Sequence, residues 1–144
     1  MPCYLGIDYG LRRTGVAASD PDGSLAFAVG THVEGRDGSI LSYLGTLITD
    51  RDAAVLVLGL PLTADGREDE MARRVRKFSR RLLREFQVEV VLWDERFSSA
   101  EADRWLELRR RPSKEDRDSL AAQIILQSFL DNPRKDNVPR EVLS

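Results

Sequence analysis

The chain has 144 residues, 42% of them hydrophobic and 32% charged, which fits one globular domain able to bury a core without crosslinks. Its 22 basic and 24 acidic side chains leave a net charge of −2, so composition by itself points to no nucleic-acid partner. No apolar run approaches the roughly 20 residues that span a bilayer. The first residues run into strand pattern rather than a signal-peptide core, and the lone Cys3 suits a reducing compartment. A cytoplasmic protein with no membrane partner is expected.

Three strand-like segments come first, at residues 4–9, 14–19 and 25–33. The sequence DPDGS at 20–24 has tight-turn residues, so the segments read as an antiparallel meander. Next, Ile40, Leu41, Leu44, Leu47 and Ile48 recur at helical spacing. The continuous apolar run AAVLVLGL at 53–60 predicts a strand covered on both faces. The loop PLTADG leads into an amphipathic helix over 68–86, with Met71, Val75, Phe78, Leu82 and Phe86 as its core stripe. Within it, Arg73, Arg74, Arg76, Lys77, Arg80, Arg81 and Arg84 occur without one acid, and they are expected on the opposite side.

VEVVLW at 88–93 predicts another strand, ending at Asp94, Glu95 and Arg96. Ser98 and Glu101 have capping-box spacing and predict a helix to about Arg110. After a break at 111–114, Ser113 is expected to cap a last helix, with Leu120, Ala121, Ile124, Ile125 and Phe129 on its core side. Asn132 and Pro133 end that helix, and the tail to Ser144 reads as loosely held. The expected division is a domain over 1–132 and a C-terminal tail over 133–144. The element order predicts an α/β fold: a five-stranded mixed sheet, meander plus parallel strands, with helices on both faces.

In such a sheet, sites gather at the carboxyl ends of the parallel strands, near the switch in strand order. Asp8 falls at the end of the first strand, Glu95 just after the fifth, and Asp118 near the start of the last helix. If the three converge, their repulsion calls for a cation, and oxygen ligands favour Mg²⁺ or Mn²⁺ over zinc. Gly6 and Gly10 flank Asp8 and are expected to let backbone and substrate approach it. Taken singly, each acid has a plainer reading: Asp8 as a turn cap, Glu95 as a partner of Arg96, Asp118 as a helix-start carboxylate. The basic helix face likewise fits ordinary solvated surface.

Four blocks together resemble the YqgF family: GIDYGLRRTGVAASD at 6–20, VLGLPLTADG at 57–66, WDERFSSAEA at 93–102 and DSLAAQIILQSFL at 118–130. Members of that family are described as pre-16S rRNA nucleases or Holliday junction resolvase-like proteins. The first block alone is shared with sugar kinases and actin-like ATPases, which use a second lobe for which 144 residues leave no room. The resemblance implies an RNase H-like fold and a metal-dependent nuclease, with Asp8, Glu95 and Asp118 as the catalytic, metal-holding acids. Asp94 matches the other acid of the DER block and is the fourth candidate metal ligand, ranked below Glu95 because neighbours on a strand point to opposite sides. The family often carries a lysine two residues before the last aspartate; Asp116 stands there, with Lys114 and Arg117 nearby.

Arg12, Arg13, Arg73, Arg76, Lys77, Arg80, Arg84 and Arg96 are the candidate nucleic-acid contacts, giving salt-dependent, largely sequence-independent affinity. Maturation of the 5′ end of precursor 16S ribosomal RNA is the expected task. Branched DNA is the alternative substrate, and a non-catalytic ribosome-assembly module the alternative role. The chain is expected to act as a monomer or weak homodimer.

Overall fold

The computed structural model describes residues 3–97 and 114–143. The expected helix over 98–110, including Trp105 and Leu108, and the Ser113 cap lie outside the described residues. Strands β1 (Cys3–Asp8), β2 (Arg13–Ser19) and β3 (Ala26–Val33) are followed by α1 (Ile40–Arg51), β4 (Ala53–Leu60), α2 (Glu70–Glu85) and β5 (Glu89–Asp94). A 3₁₀ turn at Glu95–Phe97 closes the first described segment, and α3 (Lys114–Leu130) opens the second.

The five strands form one sheet in the order β3-β2-β1-β4-β5. The β1-β2-β3 half is antiparallel, whereas β4 pairs in parallel with both β1 and β5. Strand order therefore switches between β1 and β4, and the carboxyl ends of β1, β4 and β5 share one edge. This is the expected α/β architecture.

Period-two alternation divides the sheet's residues between two cores. Leu5, Ile7, Leu56, Leu58 and Val90 pack under α1 and α2 against Ile40, Leu44, Val75, Phe78 and Leu82. Ala17, Val55, Val57 and Val91 pack on the other face against Ala122, Ile125, Leu126 and Phe129 of α3. Because both faces are covered, β4 can be apolar throughout, as its sequence predicts. Gly6 serves this packing rather than access to Asp8: a Cβ there would lie 2.6 Å from Leu126 Cβ.

The helix starts follow local chemistry. Ser39 and Asp69 cap α1 and α2, each accepting a backbone N–H with its side chain. The DPDGS turn closes through Asp20, whose Oδ1 accepts from the backbone N–H of Ser24 and Leu25. His32 is buried, with its Nε2 2.8 Å from the Gly38 carbonyl, and serves structure.

One expectation changes, because the tail is tied down. Glu141 N–H donates to Val90 O at 2.8 Å, and Lys135 Nζ donates to Gly23 O at 3.0 Å. The first bond occupies part of the outer edge of β5, which would otherwise offer unpaired backbone groups, and the second ties the tail to the β2–β3 turn.

Candidate active site

Asp8 sits at the last position of β1, and alternation from Gly6 turns its side chain toward the α3 face. Glu95 arrives at the same face from the other side of β4, and its side chain shares a hydrogen bond with Asp8. It passes directly over Gly59 of β4, where a Cβ would lie 2.6 Å from Glu95 Oε1. Asp118 enters from α3. It lines, with Asp8, Arg12, Arg13 and Met71, an open cleft of about 400 Å³.

Burial dominates the electrostatics of Asp8. Its carboxyl is pushed up to about 8 by loss of water, then by the Glu95 charge and hydrogen bond, then by Asp118. Burial also raises Glu95, with a further push from Asp94. The proton is therefore held by the Asp8–Glu95 pair near neutral pH. Asp118 is balanced differently, because Arg13 Nε donates to its Oδ2 at 2.7 Å.

Among the described residues no three acidic, histidine or cysteine side chains are gathered into a ready-made metal cage. The chemistry of the set nevertheless fits a hard divalent cation. Its donors are carboxylate oxygens, and the charge a cation would neutralise is met by a proton on one side and a guanidinium on the other.

Asp94 points elsewhere. Its carboxylate grips Arg96, with Nε at 3.1 and 3.0 Å from its two oxygens and Nη2 at 2.7 Å from Oδ2. Arg96 also caps this acid through its backbone N–H and reaches the Ala64 carbonyl at 3.4 Å. That contact joins the DER block to the PLTADG loop. The pair holds the Asp94 carboxyl below the usual range.

The basic residues of α2 divide into three groups. Arg76 is paired with Glu68 and faces Glu141, and Arg74 is paired with Glu70. Among the described residues Arg73, Lys77, Arg80 and Arg84 enter no ion pair, and all four are exposed. Arg81 turns its guanidinium over the Phe78 ring, 5.8 Å from the centroid. Arg12 and Arg13 lie in the hairpin beside Asp8.

Tyr9 and Arg81 are the neighbours of the site that the motif reading passes over. Two signals in the sequence mark them. Tyr9 follows Asp8 on a strand and so must face the opposite side, and Arg81 lies one helical turn from Phe78.

The fold has the RuvC shape. Over 98% of this chain and all of the other, it superposes on Thermus thermophilus RuvC, solved in complex with a Holliday junction substrate, with a TM-score of 0.65 at 11% identity. An identity that low speaks for the fold alone.

Sequence narrows the class to a family. The RuvX family model, described as Holliday junction resolvase, matches residues 2–132, and the chain belongs to that family, which is the YqgF family its motifs resemble. A relative from Nitratidesulfovibrio vulgaris, named "Putative pre-16S rRNA nuclease", is 42% identical over 139 residues, covering 94% of this chain and 98% of that one. A relative of the same name from Oleidesulfovibrio alaskensis is 39% identical over 143 residues, covering 96% and 98%.

Proposed function

We propose that the chain is a divalent-metal-dependent nuclease that hydrolyses phosphodiester bonds in precursor 16S ribosomal RNA. The observation that carries this reading is the buried Asp8 carboxyl, with Glu95 hydrogen-bonded to it and Asp118 across the same cleft. A purely structural role gives no reason to bring three acids together at the switch edge of a sheet. The family relatives and the RuvC-like fold support the same reading.

Asp8, Glu95 and Asp118 are the residues that would hold Mg²⁺ or Mn²⁺. Such an ion supplies Lewis-acid polarisation of a phosphoryl oxygen and a water of lowered pKa. The chain's own work is positional. Asp8 and Glu95 would hold the ion once their shared proton has passed to solvent, and Arg13, once freed from Asp118, would be placed to meet a backbone phosphate. Hydrolysis then adds water across the ester bond, one oxygen–phosphorus bond forming as another breaks. Asp94 serves by fixing Arg96, which steadies the loop that carries Glu95. The exposed outer face of α2 contributes sequence-independent attraction for the rest of the strand.

The family model's own description keeps branched DNA as the second substrate to test, and paired cuts at a junction need two copies of the chain. The test compares precursor RNA, a four-way junction and plain single strands with Mn²⁺, using Asp8→Asn as control. RNA cleavage that vanishes in Asp8→Asn is the expected result. Equal metal-dependent turnover by both proteins would overturn the assignment.

A further inference from the structure

Asp8 and Tyr9 are adjacent in sequence and face opposite sides of the sheet edge, so whatever lies against Tyr9 is within one residue of the acids. The Tyr9 ring stacks on Phe78 with centroids 4.0 Å apart and planes 14° apart. Phe78 is only 1% exposed and therefore forms a fixed floor. Tyr9 is half-buried, and beside it Leu11 is 55% exposed, an apolar side chain set out in solvent.

Tyr9 and Leu11 together border three clefts: the carboxylate cleft, a cleft of about 210 Å³ lined by Arg74, Lys77 and Arg81, and a polar cavity of about 340 Å³. Arg12 and Arg81 both line that last cavity. The molecule thus has an aromatic and aliphatic ridge between the Asp8 and Asp118 carboxylates, with Arg13 beside them, and the Arg12 and Arg81 cations, with Glu34 beside them. Apolar side chains bordered by arginines and lysines suit a base with its phosphate, the pairing found in channels that hold single strands.

Resting on the nuclease reading, we propose that Tyr9 and Leu11 seat one unpaired nucleotide of the substrate strand beside the scissile phosphate, with Arg12 and Arg81 receiving its phosphate. A base locked in a duplex stack cannot reach this ridge, because its faces are covered by its neighbours. The seat therefore selects strands that are unpaired at the cut. It acts on base and phosphate, which RNA and DNA share, and leaves the sugar unread.

The test measures Kd by fluorescence anisotropy in EDTA, at one fixed salt concentration, for a short single strand and the blunt duplex of the same sequence. Both are prepared as RNA and as DNA. Wild type is expected to bind the single strands about tenfold more tightly, the order expected of one base stacked on an aromatic ring. Tyr9→Leu, which keeps apolar volume but loses the ring, brings the two Kd values together, and Tyr9→Phe restores the preference. Arg81→Gln weakens single-strand binding while duplex binding holds, which keeps the proposal testable if Tyr9→Leu fails to fold. Equal affinity of wild type for single strand and duplex overturns the seat alone. So does a preference that survives both Tyr9→Leu and Arg81→Gln, or one confined to a single sugar. No binding to any of the four nucleic acids overturns the nuclease reading and the seat together.

Discussion

Gly15 and Asp118 meet backbone to backbone: a Cβ on Gly15 would lie 1.9 Å from the Asp118 carbonyl oxygen and 2.9 Å from the Ser119 nitrogen. Strand β2 and the beginning of α3 therefore touch with no side chain between them. This contact sets Asp118 beside Arg13 and over the cleft that holds Asp8. Gly59 does the same for Glu95 on the far side of Asp8. Both acids that press on Asp8 reach it across a glycine.

Gly15→Ala is accordingly expected to damage both stability and activity. The clash is with backbone atoms, so no rotamer relieves it, and α3 must lift away from β2. Overpacking of this kind costs about 1–3 kcal/mol. Thermal melts should show the loss, and cleavage should fall further because Asp118 moves with the helix. Gly59→Ala meets the side-chain atoms of Glu95 and Ile125 instead. Its stability loss should be smaller than that of Gly15→Ala, with its main effect on activity. Wild-type stability in Gly15→Ala would show that the contact does not constrain α3.

Much of this arrangement is legible in the sequence, for identifiable reasons. The run at 53–60 is apolar on both faces and becomes β4 with those same bounds, and the Met71–Leu82 stripe becomes the buried side of α2. Asp8 and Glu95 stand where strand patterns stop, so their delivery to one edge follows from parallel topology. What the sequence does not display is which cation meets which acid. Asp118 meets Arg13, 105 positions away, and Asp94 takes Arg96 two residues on. The first pairing is decided by tertiary packing, which local spacing does not encode, and in the second local spacing offers Arg96 both Asp94 and Glu95. The need for glycine at 15 is hidden for the same reason, since its neighbour α3 lies a hundred residues along the chain. The tail, too, reads as loose because its partners, Val90 and Gly23, belong to distant elements.

Arg13 occupies the Asp118 carboxylate that the proposed ion would share, and Arg13→Gln should show whether the two compete. The two side chains are 37% and 21% exposed, so solvent screening limits the pair to about 1 kcal/mol. In EDTA the variant should melt below wild type by an amount of that order. In excess Mg²⁺ the gap should close, because the ion takes over the neutralisation of Asp118. A gap that is unchanged by Mg²⁺ would show that Arg13 and the ion do not compete for this carboxylate.

The proton on Asp8 makes stability fall as pH rises. The group titrates near its ordinary 3.8 when unfolded and at about 8 when folded. Below about pH 4 both states hold the proton; between pH 4 and 8 the folded state alone keeps it, so unfolding releases a proton and higher pH favours the unfolded chain. Denaturant melts in EDTA should therefore show wild type losing stability across that interval. Asp8→Asn has no such proton to lose. Its profile should be flatter, and near pH 8 it should be more stable than wild type while inactive, as expected where a buried acid is kept for chemistry. Parallel pH profiles for the two proteins would refute the assignment of the proton to Asp8.

The exposed and engaged arginines of α2 should separate by salt dependence. Arg73, Arg80 and Arg84 face solvent, whereas Arg76 is held by Glu68 and Glu141. For single strands, each phosphate contact contributes about 0.7 to the slope of log affinity against log salt. Replacing Arg73, Arg80 and Arg84 together by glutamine should reduce that slope by about 2, if all three contact phosphate. Arg76→Gln should leave the slope intact and lower the melting temperature, because it breaks an ion pair that bridges α2 to the C-terminal tail. Anisotropy titrations at several salt concentrations read the first effect, and melts read the second. A full slope in the triple variant would remove the outer face of α2 from the binding surface and leave the Arg12, Arg13 and Arg81 side to carry it.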